Sequence, residues 1–162
     1  MTKNRLFNQD IIIHSQSIKA IYYTTKFGED LHFKENKNLE FTCEYDVLSH
    51  KENTRDHIIL LEYNVIEPSK EEHKNEFHII VEGHFEISEE IKGKLIDETK
   101  HFQSLSILLS FLRTAVFNIT SMTASGAHQI PLINAEELHK KFIRKPITNK
   151  KVVKKKKIEP KK

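Results

Sequence analysis

In Leu39–Val47 and Glu76–Ser88 the chain alternates apolar and polar residues, whereas from Ser104 its apolar residues recur every three or four. A period of two sets one side of a strand against a core, and a period near 3.6 does the same for one side of a helix. This change of period restricts the chain to a strand-rich first half and a helical second half. Leu39–Val47 alternates most cleanly, with Leu39, Phe41, Cys43, Tyr45 and Val47 on one side and Glu40, Thr42, Glu44 and Asp46 on the other. His57–Ile66 is nearly all apolar, which predicts a central strand covered on both faces. Glu76–Ser88 alternates Phe77, Ile79, Val81, Phe85 and Ile87 with Glu76, His78, Glu82, His84 and Glu86. Gly83 in its middle marks a bulge or a close backbone approach. Ser17–Phe27 is β-branched and aromatic and reads as a further strand upstream. The links KENTRD and PSKEEHKN are too short for parallel crossovers, so residues 39–88 form an antiparallel meander.

The second half begins with Leu105, Leu108, Leu109, Leu112, Val116, Ile119 and Met122, one apolar face of a helix running to about Ala124. Ser125-Gly126 supplies its stop, since glycine takes the left-handed cap conformation. Ala127–Ile133 is extended around Pro131. Asn134 with Glu137 three residues on resembles a capping box and opens a short second helix, Ala135–Ile143. The expected class is α+β: a four-stranded antiparallel sheet, a long helix, an extended Pro-containing loop and a short helix.

Charge divides the chain differently. Residues 150–162 hold eight lysines against one acid, Glu159, although the whole chain carries only +3. A mildly acidic body, residues 1–148, is thus expected as a single domain, followed by a disordered lysine-rich tail, 149–162. No aromatic residue is interleaved in the tail to stack on bases, so a solubilising role is favoured and no nucleic-acid partner is expected. Cys43 is the one cysteine, which precludes an internal disulfide and predicts a reducing, cytoplasmic setting. The start, MTKNRLFNQD, contains no apolar signal-peptide core. The apolar run around Leu105–Ile119 is broken by Ser110, Arg113 and Asn118, so membrane insertion is not expected.

Catalytic signatures are missing. Gly93-Lys94 lacks the spacing of a phosphate-binding loop, and HExxH, CxxC and G-x-S-x-G do not occur. The expectation is a protein without enzymatic activity and without a cofactor. The ten histidines are scattered; His78 and His84, with Glu82, share a strand face, but ordinary surface histidines explain them better than a metal site. More telling is the apolar material late in the chain. Val116, Ile119, Met122, Ile130, Leu132, Ile133, Leu138 and Phe142 exceed what one helix and a loop easily hide. They either close the core or line a groove open to apolar peptide segments.

In this order of elements the chain resembles the SecB family of protein-export chaperones. The match is densest in ILLSFLRTAVFNITSMTASGAHQIPLINAEELHKKF (Ile107–Phe142), which is similar to the family's arginine-bearing long helix, its Ser-x-Gly ending, the Pro loop and an Asn-x-x-x-Leu helix start. VEGHFEI (Val81–Ile87) resembles the family's last strand and SIKAIYYTTKF its first. The resemblance implies an ATP-independent holdase for unfolded or precursor chains, assembled as a homotetramer, a dimer of dimers. It also implies that the groove residues above bind clients. SecB proper docks on the translocase motor SecA through acids on its sheet; Thr25 and His78 fall at two of those positions, while Glu29 keeps an acid near the first strand. A related chaperone serving an antitoxin is the variant reading.

Overall fold

The computed structural model describes residues 10–24, 39–66, 76–123 and 127–144. Four strands, β1 (Ile11–Thr24), β2 (Glu40–Ser49), β3 (Asp56–Ile66) and β4 (Glu76–Ile87), form one antiparallel sheet in the order β1-β4-β3-β2. The expected meander is β2-β3-β4, and β1 returns to pair with β4, which leaves β1 and β2 as the two edges. Arg55, in the turn after β2, ties that turn to the end of β4, its guanidinium donating to the carbonyls of Ser88 (2.5 Å) and Ile91 (2.8 Å).

Two boundaries differ from the sequence reading, each for a physical reason. The first strand begins at Ile11, not Ser17, and ends at Thr24; Phe27 lies outside the described residues. Its register against β4 slips between Ile13 and Ser15 and again between Ile18 and Ala20. Each slip reverses which side chains face inward, so no single alternation runs through the segment. The helical half begins at Leu95, not Ser104. A short helix α1 (Leu95–Glu98) passes through a π-wound segment (Thr99–Ser104) into α2 (Leu105–Ser121). The wider π turn breaks the 3.6 period that would have shown the earlier start. The proposed Ser125-Gly126 stop lies outside the described residues.

The core lies between the inner face of the sheet and α2. Ile59, Leu61 and Val65 of β3 and Ile79, Val81 and Phe85 of β4 meet Leu105, Leu108, Leu112 and Val116, all fully buried. Gly83 sits at the closest approach: a Cβ there would run into the Phe85 ring and come within 3.1 Å of Leu108 Cδ1. Of the two readings of this glycine, close approach is correct, and the register slips are in β1. The continuous helical run Leu95–Ser121 is long and apolar enough overall to cross a bilayer, but its apolar side is the side buried on the sheet.

The opposite face of the sheet was expected to be covered at β3. Among the described elements no helix lies on it, and Ile58, Leu60 and Ile66 are half-buried between neighbouring strands. Around them stand carboxylates: Asp56 and Glu62 on β3, Glu76, Glu82 and Glu86 on β4, and Glu40, Glu44 and Asp46 on β2. Cross-strand pairs connect several of these acids to bases. Lys19 reaches Glu82 (3.1 Å), His14 reaches Glu86 (3.0 Å), His78 reaches Glu62 (2.9 Å) and His84 reaches Asp56 (2.5 Å).

Candidate functional site: a groove beside the β2 edge

The extended segment Ala127–Ile133 leaves the long helix and crosses to the β2 side of the sheet, where α3 (Ala135–Arg144) begins. Asn134 caps α3 as expected, its Oδ1 accepting from the Glu136 N–H at 2.8 Å. Acidic Glu136 and Glu137 lie in the first turn, where the helix dipole favours them.

Four imidazoles hold this layer to the sheet. His128 is buried; its ring stacks on Tyr63 and its Nε2 lies 2.8 Å from the phenol oxygen. The His128 backbone N–H donates to Thr120 Oγ1 (2.8 Å), so the start of the loop is fixed to the end of α2. His57 on β3 stacks on Phe85, and its Nε2 lies 3.0 Å from Ser104 Oγ at the close of the π segment. Tyr45 on β2 places its phenol oxygen 2.7 Å from His139 Nδ1 on α3 and 3.1 Å from His101 Nδ1. One O–H donates to a single acceptor, so the other ring must carry its proton on Nδ1 and donate to the phenol. The His101 and His139 rings stack at 4.3 Å, a geometry that disfavours two positive charges. Burial, and then the neighbouring His139, pull the His101 pKa down to about 4. Burial also lowers His57, His128 and His139 and raises the two phenols, so these contacts are made by neutral groups.

Between β2, the loop and α3 lies an open groove of about 230 Å³. Phe41, Cys43 and Tyr63 form its sheet wall, and Pro131, Leu132, Ile133 and Leu138 form the opposite one. Glu137 and Lys141 stand at its polar margin. Burial, and secondarily Glu44, push the Cys43 thiol up to about 12, so this cysteine is an apolar lining group and not a nucleophile. A second hollow of about 360 Å³ opens on the α2 side of the loop, against Arg113, Thr114, Phe117, Gln129 and Ile130.

The residues singled out from sequence divide among three environments. Val116, Ile130 and Leu138 belong to the core, at 0%, 8% and 6% exposure. Ile119 and Ile133 are half-buried against it. Met122 and Leu132 stand clear at 87% and 92% exposure. Leu132, Ile133 and Leu138 meet at the first groove and Ile130 at the second; Val116, Ile119 and Met122 line neither. Phe142 is on α3, but its side chain, like Glu29 and Thr25, is outside the described residues. The sheet wall was missed: Phe41 and Cys43 were read as core-facing, because alternation identifies a face without showing that β2 is an edge. Among the described residues no three histidine, cysteine or carboxylate groups are placed to hold a metal ion.

No family model and no curated protein matches the sequence. The fold does have a counterpart in a solved structure of a Mycobacterium tuberculosis SecB-like chaperone in complex with a peptide from an antitoxin. The two share 8% identity with a TM-score of 0.54, over 77% of this chain and 91% of that one. A protein of unknown function from Streptococcus agalactiae matches at 8% identity and a TM-score of 0.41, over 75% and 97% of the two chains. The chain thus has the fold of a SecB-like chaperone, as the order of its elements implied.

Proposed function

We propose that this protein is an ATP-independent holdase that binds extended apolar segments of unfolded or precursor polypeptides in the groove between β2, the Pro131 loop and α3. One observation carries the reading: Leu132 projects into solvent at the mouth of an apolar groove, at 92% exposure. An isolated leucine that exposed contributes nothing to the fold, whereas covering it and its neighbours gains about 25 cal/mol per Å². The mycobacterial neighbour is bound to an antitoxin peptide, which supports a polypeptide partner. A dedicated antitoxin is the second reading; export with docking on the translocase motor is the third. No reaction is assigned to the groove, and a cytoplasmic setting belongs to the same proposal.

A homotetramer completes it. The outward side of α2 carries Ser106, Ser110, Thr114, Phe117, Asn118 and Ser121, with half-buried Arg113 at its margin donating to the Ile133 carbonyl. Its hydroxyls already donate to helix carbonyls, Ser106 to Phe102 (2.6 Å), Ser110 to Ser106 (3.0 Å) and Thr114 to Ser110 (3.2 Å). Those three hydroxyls would stay satisfied if the face were buried against another helix. The helix-side residues Ile13, Ile18 and Ile21 of edge strand β1 are likewise half-exposed.

The test is suppression of aggregation of a chemically denatured client without nucleotide, with light scattering for the assembly mass. Leu132→Asp should leave folding and mass unchanged and abolish most of the protection. Full protection by that variant, or no protection by the wild type, removes the proposal.

A further inference from the structure

Among the described residues the sheet face away from the helices is predominantly acidic and carries one apolar strip. Half-buried Ile58, Leu60 and Ile80 run across its centre, flanked by the carboxylates of β2, β3 and β4. Lys19 is the one lysine or arginine facing that side among the described residues. The same chain carries the complement. Residues 150–162 read KKVVKKKKIEPKK, which places Val152, Val153 and Ile158 among eight lysines. A face that is apolar and acidic meets a segment that is apolar and basic.

The connection is short enough. α3 packs against β2, the edge strand that presents Glu40, Glu44 and Asp46 to the acidic face. From Arg144 the segment Lys145–Asn149 leads to the first tail lysine. Five residues extended reach roughly 17 Å. That reach exceeds the roughly 10 Å that separates stacked sheets. At that tether length the tail is present at the face at an effective concentration on the order of 1 mM.

We propose that the lysine-rich tail, residues 150–162, folds back around the β2 edge and occupies the acidic outer face of the sheet within its own subunit. The tail then acts as a built-in competitor for any basic polypeptide that docks there. Holding a client in the groove does not require it, since the groove lies on the helix side of the sheet, and the two readings stand or fall separately.

The experiment uses the full chain and a zero-length carbodiimide, which joins a lysine amine to a carboxylate in direct contact. Mixed samples of isotopically light and heavy protein are cross-linked, and the sites are mapped by mass spectrometry. The expected result is bonds from Lys154–Lys157 to Glu44, Glu62 and Glu82, within light or within heavy chains. They should vanish at 1 M NaCl, where the screening length is about 3 Å. Neutralising the tail (Lys154→Gln, Lys155→Gln, Lys156→Gln, Lys157→Gln together) should let a fluorescent oligolysine peptide of ~0.1 mM affinity bind about tenfold more tightly. Bonds confined to Glu89, Glu90, Glu136 or Glu137 would overturn the proposal. Light-to-heavy bonds would assign the face to a second copy's tail and also overturn it. So would unchanged oligolysine affinity in the neutralised variant.

Discussion

The two faces of this sheet are built from the same strands and do opposite work. On the inner face Ile59, Leu61, Val65, Ile79 and Val81 are completely shielded, and the polar groups that enter it are mainly uncharged pairs such as His57 with Ser104 and Tyr63 with His128, with buried Lys100, donating to Ser49 Oγ at the margin, an exception. On the outer face the alternate residues of β3 and β4 are half-exposed, and the polar contacts pair a carboxylate with a base across the strands. The difference teaches where stability resides: removing water strengthens a neutral hydrogen bond and makes a charge expensive, whereas exposed charges cost and contribute little.

The sharpest way to break that contrast is to truncate matched leucines. Leu108→Ala, between α2 and Gly83, should cost about 2–5 kcal/mol in urea unfolding, through lost transfer energy and a residual cavity. Leu60→Ala, from the neighbouring strand but facing outward, should cost under about 1.5 kcal/mol because the site is already partly wet. Equal losses at the two sites would mean the outer face is as fully covered as the inner one. Tyr63→Phe should cost about 1–3 kcal/mol, since it removes the hydroxyl that lies 2.8 Å from Nε2 of buried His128.

The inner face was legible in the sequence for the reason that makes it costly to mutate. Regular burial imposes a regular period, and β2, β3, β4, the face of α2 and the Asn134 cap were each readable from it. The unreadable parts are those where local rules are broken by geometry. Two register slips erased the alternation of β1, and the π turn hid ten residues of helix before Leu105. The groove was half legible. Leu132, Ile133 and Leu138 were found as surplus apolar residues, but Phe41 and Cys43 become groove-lining only because β2 is an edge, a property of strand order that no spacing records.

Acid should separate the faces next. His101 has its pKa lowered to about 4, so the unfolded chain, with an ordinary imidazole near 6.5, binds more protons between those values. Stability from this group is present above about pH 6.5 and declines as pH falls toward 4. His57, His128 and His139 are lowered too and act with the same sign. The urea midpoint should therefore fall over this range, and His101→Phe, which keeps an aromatic ring against His139 without a titrating group, should flatten the decline. An unchanged acid limb in that variant would place the sensitivity elsewhere in the layer.

The smallest effect belongs to the outer carboxylate–base pairs. Glu62→Gln removes the carboxylate facing His78, on a side chain that is half-exposed, and should change stability by no more than about 0.5 kcal/mol. Acids this inexpensive to replace are not maintained by folding, so their gathering on one face needs a cause in what the face meets. If Glu62→Gln, Glu82→Gln and Glu86→Gln together leave the urea midpoint in place yet abolish oligolysine binding, the outer face is a docking surface resting on a fold it does not support. A large loss of stability in the same variant would show instead that these cross-strand pairs hold β1, β3 and β4 together, and the contrast between the faces would fail.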